Sequence, residues 1–292
     1  MTLDQLRIFV AVAERQHVTR AAEALNLAQS AVSAAVAGLE GRHGAKLFHR
    51  VGRGIALTEA GTLFLDEARA VLARAAAAEL ALSELGGLVR GTLSVMASQT
   101  ISGYWLPRHL VAFRRRHPGI AVRLAIGNTA EVAAAVLGGT ADLGFVEGAL
   151  SDSLLVGQRV ARDQLIVVVA PGHPWAGRSG FDPAELTTSE WVLREPGSGT
   201  RSAFESALAG LGAGPLRVAL ELPSNEAVRG AVEAGLGATA LSASVAAPSL
   251  EAGLLVEVDL PLPERDFTAI RHAQRTRSRA AEALLEVMTG AG

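Results

Sequence analysis

The chain has 292 residues, a formal net charge of −2, 49% hydrophobic residues and no cysteine. That length is about twice a typical domain, so at least two folding units are expected, and the apolar content excludes a disordered chain. The absent cysteines exclude disulfides and thiolate metal sites, and the scattered histidines form no H-E-x-x-H pair, so neither a metal nor another cofactor is expected.

No apolar run approaches the ~20 residues of a membrane span. The opening "MTLDQLRIFVAVAERQ" carries Asp4, Arg7 and Glu14 with no small-residue cleavage site after it, so a secretory leader is not expected and the chain is assigned to the cytoplasm. Charge is unevenly distributed. Residues 1–60 hold seven Arg and Lys against five acids, or +2, which leaves −4 for the remainder. A basic head on an acidic body points to phosphate binding at the N-terminal end.

Leu3, Leu6, Phe9, Val10 and Val12–Ala13 recur at helical spacing. The stretch "HVTRAAEALNLAQSAVSAAVAGLE" then reads as two short helices, with Thr19 as N-cap of the first and Asn26 at a turn position that needs positive φ. Val32, Val36 and Leu39 face inward on the second helix, which begins at Gln29 or Ser30. Small alanines allow close crossing, and the whole reads as a helix-turn-helix whose second helix presents Gln29, Ser30 and Ser33 to a DNA major groove, with an ordinary helical hairpin as the other reading. "GAKLFHRVGRGIALTEAG" adds two strands around a "VGRG" tip, a wing that carries Arg50 and Arg53 against phosphates.

In order and spacing, "AAEALNLAQSAVSAAVAGLE", "LFHR", "RG" and "LTEAG" resemble the LysR-type transcriptional regulators over residues 3–61. The resemblance implies double-stranded operator DNA as partner, with Gln29, Ser30 and Ser33 at base-contact positions, Arg50 and Arg53 on the wing, and Thr19 counted with them. Ala37 departs from the pattern, because many members carry Arg or Lys there. The loss of one phosphate contact lowers the salt dependence of binding by roughly one charge.

From Thr58 to about Leu85 the chain has no proline. Phe64, Val71, Ala78 and Leu85 recur every seven residues, as do Ala68, Ala75 and Leu82 offset by four, the a and d positions of a short coiled coil on the order of 40 Å long. The other reading is a helix buried on its own domain. The resemblance implies a homodimer through this segment, a homotetramer beyond it, and RNA polymerase as a further partner. "GGLVRG" at 86–91 is expected to end the helix as a hinge.

Beyond residue 90, strands ("TLSVMAS", "IAVRLAIG", "ADLGFVEG", "QLIVVVAP", "WVLRE", "LRVALELP", "ATALS") alternate with helices, which argues for parallel sheets covered on both faces. Ligands of such sheets bind beyond the carboxyl ends of strands, beside helix N-termini. The polar residues at those ends are Ser98, Gln99, Thr100, Asn128, Thr129, Glu147, Ser198, Thr200, Ser224 and Asn225. Each alone reads as a helix cap; together they read as two halves of one cleft. In "REPGSGTR", Gly199 lies between Ser198 and Thr200 and completes a loop suited to a small anion.

This half is similar to the effector domain of the same family, with two lobes like a periplasmic binding protein, and closest to the sulfur-assimilation and carbon-fixation subgroups. The segments that carry the likeness are "ASQTISGYWLP", "GNTAEV", "DLGFVEG", "REPGSGTR", "SNEAVRGAVEAGLGATALS" and "RDFTAIRH". It implies a small anion held by Ser98, Gln99, Thr100, Thr129, Glu147, Ser198, Gly199, Thr200 and Asn225, although Gln99 replaces a residue often hydroxylic there. Beside an anion, Glu147 must accept a proton, contact a donor on the ligand, or simply hold a loop.

The expected organisation is multi-domain: a mainly α winged helix-turn-helix at 1–58, a long linker helix at 59–88, and a two-lobed α/β domain at 89–292. Lobe I takes about 89–161 plus 265–292, and lobe II about 162–264. The strands near 160–165 and 262–270 are expected to act as the hinge. "GLGATA" at 235–240 fails as a dinucleotide fingerprint because it follows a helix and opens a strand, and "FRRRH" at 113–117 reads as a solvated face. No base pairs with the hydroxyls, so no enzymatic activity is expected. A transport solute-binding protein is the alternative reading of the second half.

Overall fold

The computed structural model describes every residue except 53, 85–90, 149–151, 181, 276 and 290–292; at 77 and 80–84 only the backbone is described. The chain forms two compact units, one built mainly from residues 1–87 and the other mainly from 88–292.

The first unit runs α1 (Leu3–Arg15), α2 (Val18–Leu25), α3 (Gln29–His43), β1 (Phe48–Val51), β2 (Gly54–Leu57) and α4 (Glu59–Glu84). A capping box of Thr2 and Gln5 starts α1, and the left-handed Gln16 ends it. Asn26 ends α2 at φ 53°, as its turn position requires. Thr19 does not cap α2: it lies inside the helix, exposed, and the cap is His17, whose ring nitrogen accepts the Arg20 N–H. An imidazole nitrogen serves as well as a hydroxyl here, and the helix begins two residues earlier than the hydroxyl suggested. The core is Ile8, Val12, Ala21, Ala22 and Val32, where alanines let three helices cross closely.

The wing is an antiparallel pair with Arg50 opposite Ile55. Glu40 fastens it to α3. Its carboxylate accepts the Lys46 ammonium at 2.7 Å and the N–H groups of Leu47 and Phe48 at 2.9 and 3.3 Å. Gly61 lets α4 leave the wing closely, since a Cβ there would sit 2.1 Å from the Leu47 carbonyl oxygen.

The first turns of α4 pack inward. The Phe64 ring lies 4.8 Å from that of Phe9, and Ala68 is buried in the same cluster with Leu6 and Leu39. The heptad pattern is therefore shared: its first two members serve the domain core, whereas Val71 and Ala78 beyond them are exposed. The side chain of Leu82, all of Leu85, and the hinge expected at 86–91, apart from Gly91 at the start of β3, lie outside the described residues.

The second unit begins with β3 (Gly91–Ser98), a π-helical turn (Ile101–Trp105) and α5 (Leu106–Arg116). Then follow β4 (Ile120–Gly127), α6 (Thr129–Gly138), β5 (Leu143–Glu147) and β6 (Leu155–Val169). A 3-10 turn (Pro183–Thr188), β7 (Glu190–Arg194), α7 (Gly199–Leu211), β8 (Arg217–Leu222), α8 (Asn225–Glu233), β9 (Ala238–Ser242) and α9 (Ala243–Glu251) come next. The chain closes with β10 (Val256–Glu257), β11 (Glu264–His272) and α10 (Arg279–Thr289).

Strand order is β4-β3-β5-β11-β6-β9-β7-β8, with β10 beside β6. The outer strands pair in parallel on each side, as the alternation predicts, but β11 and β6 run antiparallel between them. The sheet is mixed and not wholly parallel. "QLIVVVAP" marked only the end of β6, whose earlier part alternates polar residues because it forms a ribbon between two cores. One core gathers Leu93, Phe113, Phe145, Phe267 and Leu284; the other gathers Val167, Trp191, Phe204, Val258 and Leu262.

Gly235 (φ 95°) and Gly237 (φ 58°) make the turn between α8 and β9 that the failed dinucleotide motif suggested. No helix among the described residues is long and apolar enough to cross a membrane.

Candidate functional site

Two groups of residues stand out, one in each unit. In the first, α3 presents Gln29 and Ser30 in its exposed first turn, with Ser33 one turn on and half-buried. Gln29 Nε2 donates to Ser33 Oγ at 3.2 Å, which holds the amide along the helix face. Arg50 is exposed on β1, and exposed Thr19 lies on α2; Arg53 is outside the described residues. A helix end carrying an amide and hydroxyls, flanked by an arginine on a hairpin, matches base edges and phosphates in chemistry.

In the second unit the strand ends converge. Ser98 closes β3, Glu147 closes β5, and Ser198 caps α7 after β7, its Oγ accepting the Arg201 N–H at 3.4 Å. Ser98, Thr100, Glu147, Ser198, Thr200 and Asn225 are all at most 2% exposed. Burial of so many polar groups demands partners, and strand ends and helix caps on both sides of the central ribbon supply them.

Glu147 is the centre. Ser98 Oγ donates to its Oε2, Thr200 Oγ1 donates to Oε1 at 3.4 Å, and Thr129 Oγ1 donates to its backbone carbonyl at 2.9 Å. Gly199 makes the approach possible: a Cβ there would lie 2.1 Å from the Glu147 carbonyl oxygen and 2.4 Å from Thr129 Oγ1.

A second cluster bridges β3 and α8. Gln99 donates Nε2 to the Pro223 carbonyl at 2.7 Å and accepts the Asn225 N–H at 3.0 Å. Asn225 Nδ2 donates to Thr100 Oγ1 at 3.1 Å, and Arg194 Nη1 donates to Asn225 Oδ1 at 2.5 Å. Ser224 and Asn128 serve as helix caps, Ser224 for α8 and Asn128 for α6. The nine residues expected around a ligand thus fall into a Glu147 group (Ser98, Thr129, Gly199, Thr200), a Gln99 group (Thr100, Asn225), and Ser198 as cap.

Apart from Glu147, the charged residues of the cleft were not found in the sequence. Arg265 on β11 donates Nη1 to Thr200 Oγ1 at 3.0 Å and Nε to Asp163 Oδ2 at 2.7 Å, and stands 4.0 Å from Glu147. Asp163 on β6 also accepts from Ser242 at 2.6 Å. Arg194 grips Glu195 with two bonds of 2.7 and 2.8 Å. Burial pushes the Glu195 carboxyl up, but the bonds from Arg194 outweigh it and hold it below the usual range. The one sequence signal was a charge inside an otherwise strand-like run, as in "ERDFTAIRH". No group of three or more His, Cys, Asp or Glu able to hold a metal occurs among the described residues.

Residues 3–62 match the family model described as the bacterial regulatory helix-turn-helix protein, lysR family, and residues 86–292 match the LysR substrate binding domain. The HTH-type transcriptional regulator YeiE of Escherichia coli K12 is 37% identical over 98% of this chain and 96% of its own length. The RuBisCO operon transcriptional regulator of Allochromatium vinosum is 35% identical over 91% of this chain and 87% of its own. Among solved structures, the regulatory domain of CcmR from Synechocystis PCC6803, in complex with 2-PG, superposes with a TM-score of 0.64 at 27% identity. It covers 69% of this chain and 97% of that domain.

Proposed function

Because the chain belongs to the LysR family of bacterial transcriptional regulators, with a DNA-binding helix-turn-helix and an effector-binding domain, we propose which of its residues perform each task. Gln29, Ser30 and Ser33 on α3 meet base edges of an operator, while Arg50 and Arg53 on the wing, with Thr19 on α2, meet phosphates. The units carrying these roles are residues 1–58, the linker helix 59–88 and the effector domain 89–292. The linker pairs two copies of the chain, and pairs of pairs place four reading heads on one promoter, where RNA polymerase is the further partner. Such work belongs in the cytoplasm and needs no catalysis.

A small oxyanion in the cleft is the signal. The carrying observation is the polar cluster that joins buried Ser98 and Glu147, with half-buried Thr129, of one lobe to Gly199 and Thr200 of the other. A cluster that spans two lobes responds to an occupant by shifting their balance, and it transmits no more free energy than the ligand's differential affinity. The 2-PG complex of the CcmR regulatory domain supports a small ligand in this class of domain. Transport is disfavoured, because residues 3–62 carry the helix-turn-helix.

Nuclease protection of promoter DNA with and without ligand tests the reading. Arg50→Ala is expected to weaken DNA binding about evenly across sequences and to lower the salt slope by ~1, with ligand binding kept. Thr200→Ala is expected to lose the ligand's effect on the protected length and keep DNA binding. If both variants lost both properties together, the two-task division would be wrong.

A further inference from the structure

Three hydroxyls of the cleft, each with one proton, direct it at Glu147. Ser98 and Thr200 give theirs to the Glu147 carboxylate, and Thr129 gives its own to the Glu147 carbonyl. Toward anything else in the cleft these oxygens can present only lone pairs. A set that reads in sequence as an anion cradle is, around Glu147, a wall of acceptors.

Donors stand on the other side. Arg265 is 7% exposed, and its Nη2 makes no hydrogen bond although Asp163 Oδ2 is 2.7 Å away. The same guanidinium reaches Thr200 at the start of α7, where the first backbone N–H groups of a helix have no partner within it. Formal charge decides between ligands. Glu147 and Asp163 outnumber Arg265 by one, and Arg194 is matched by Glu195. A fully deprotonated anion would bring more negative charge against a buried carboxylate with no hydrogen to give it.

We propose that the cleft selects an oxyanion that carries its own O–H group, with Glu147 reading that hydrogen while Arg265 and the N-terminus of α7 hold the charged end. This rests on the effector reading above and narrows it. Glu147 is then the specificity-determining residue, and its carboxylate replaces a ligand acceptor with a demand for a ligand donor. A site built to pair a ligand hydroxyl rejects the analogue that lacks it by on the order of 100-fold or more.

The test is titration calorimetry on the full-length protein at neutral pH and matched ionic strength. Inorganic phosphate, which keeps a proton, is set against sulfate, which does not, and glycolate is set against acetate. The expected result is a preference of at least about 100-fold for the hydroxyl-bearing member of one pair, and which pair distinguishes an inorganic from an organic source. Glu147→Gln, whose amide both donates and accepts, should compress that preference to about threefold or less.

Equal binding within both pairs, a preference that survives in Glu147→Gln, or no binding by any of the four would overturn the proposal. The broader reading fails differently. A ligand bound without regard to its hydroxyl, and lost in Thr200→Ala, sinks the hydroxyl rule alone. A cleft ligand that leaves the DNA footprint unchanged sinks the effector reading.

Discussion

At the scale of single residues, the cleft depends on one atom that is missing. The Cβ absent from Gly199 would collide with the Glu147 carbonyl oxygen and Thr129 Oγ1, neither of which can retreat from its strand or helix end without losing a hydrogen bond. Gly199→Ala is expected to cost ~1–3 kcal/mol in the second unit and to abolish the ligand-induced rise in melting temperature, as calorimetric scanning would read. A variant that melts and responds like the parent would mean the lobes can part at no cost. Most members of this cluster were legible in the sequence, since Ser98, Thr129, Ser198 and Thr200 sit beside strand–helix junctions that periodicity and cap chemistry locate. Arg265, Asp163 and Arg194 were not, because nothing local distinguishes a charge that a strand turns toward solvent from one it turns inward. For Asp163 and Arg265 that choice is set by the pairing of β6 with β11, about a hundred residues apart in sequence.

At the scale of elements, Glu40 shows how a helix end and a hairpin become one object. Burial raises its carboxyl, but the bonds from Lys46, Leu47 and Phe48 outweigh this and hold it below its ordinary value of 4.5. A group lowered in the folded state stabilises above its unfolded value, and that stabilisation is lost as pH falls through the folded one. The wing should therefore loosen from α3 below about pH 4.5. Hydrogen exchange at Leu47 and Phe48 is the measurement: Glu40→Gln should show faster exchange already at pH 7, by about 1 kcal/mol, with little further acid dependence. Unchanged protection in the variant would make the tether incidental. The helices and outer strands were readable from period and caps, and so was the turn at Asn26. Of the antiparallel ribbon, strands near 160–165 and 262–270 were read, but not the earlier part of β6 or the pairing itself, because its polar alternation resembles a loop until its partner strand is known. The Thr19 cap was misplaced because a histidine took the role that hydroxyl preferences assign elsewhere.

At the scale of the whole molecule, α4 serves the domain core first and, in the proposed dimer, a second copy of the chain. Phe64 and Ala68 are engaged by the domain core, so the proposed pairing would fall to residues beyond them, where Val71 is an exposed large apolar side chain, at 40%. Val71→Glu places like charges across such a seam and should shift sedimentation toward monomer and weaken operator binding, with the melting of the second unit unchanged. An unaltered sedimentation profile would move the dimer contact elsewhere. The order in which strands enter the sheet carries a different consequence. The chain leaves the first lobe's core at β6, completes the second lobe, and returns only at β11 to supply Phe267, Ala269 and then Leu284. During synthesis the second lobe can close around its own core while the first still waits for its last strand and helix. Domains emerge from the ribosome as units, N-terminal first, yet here the lobe begun earlier is finished later, and a nascent chain stalled before residue 264 would expose an apolar face for chaperones to cover.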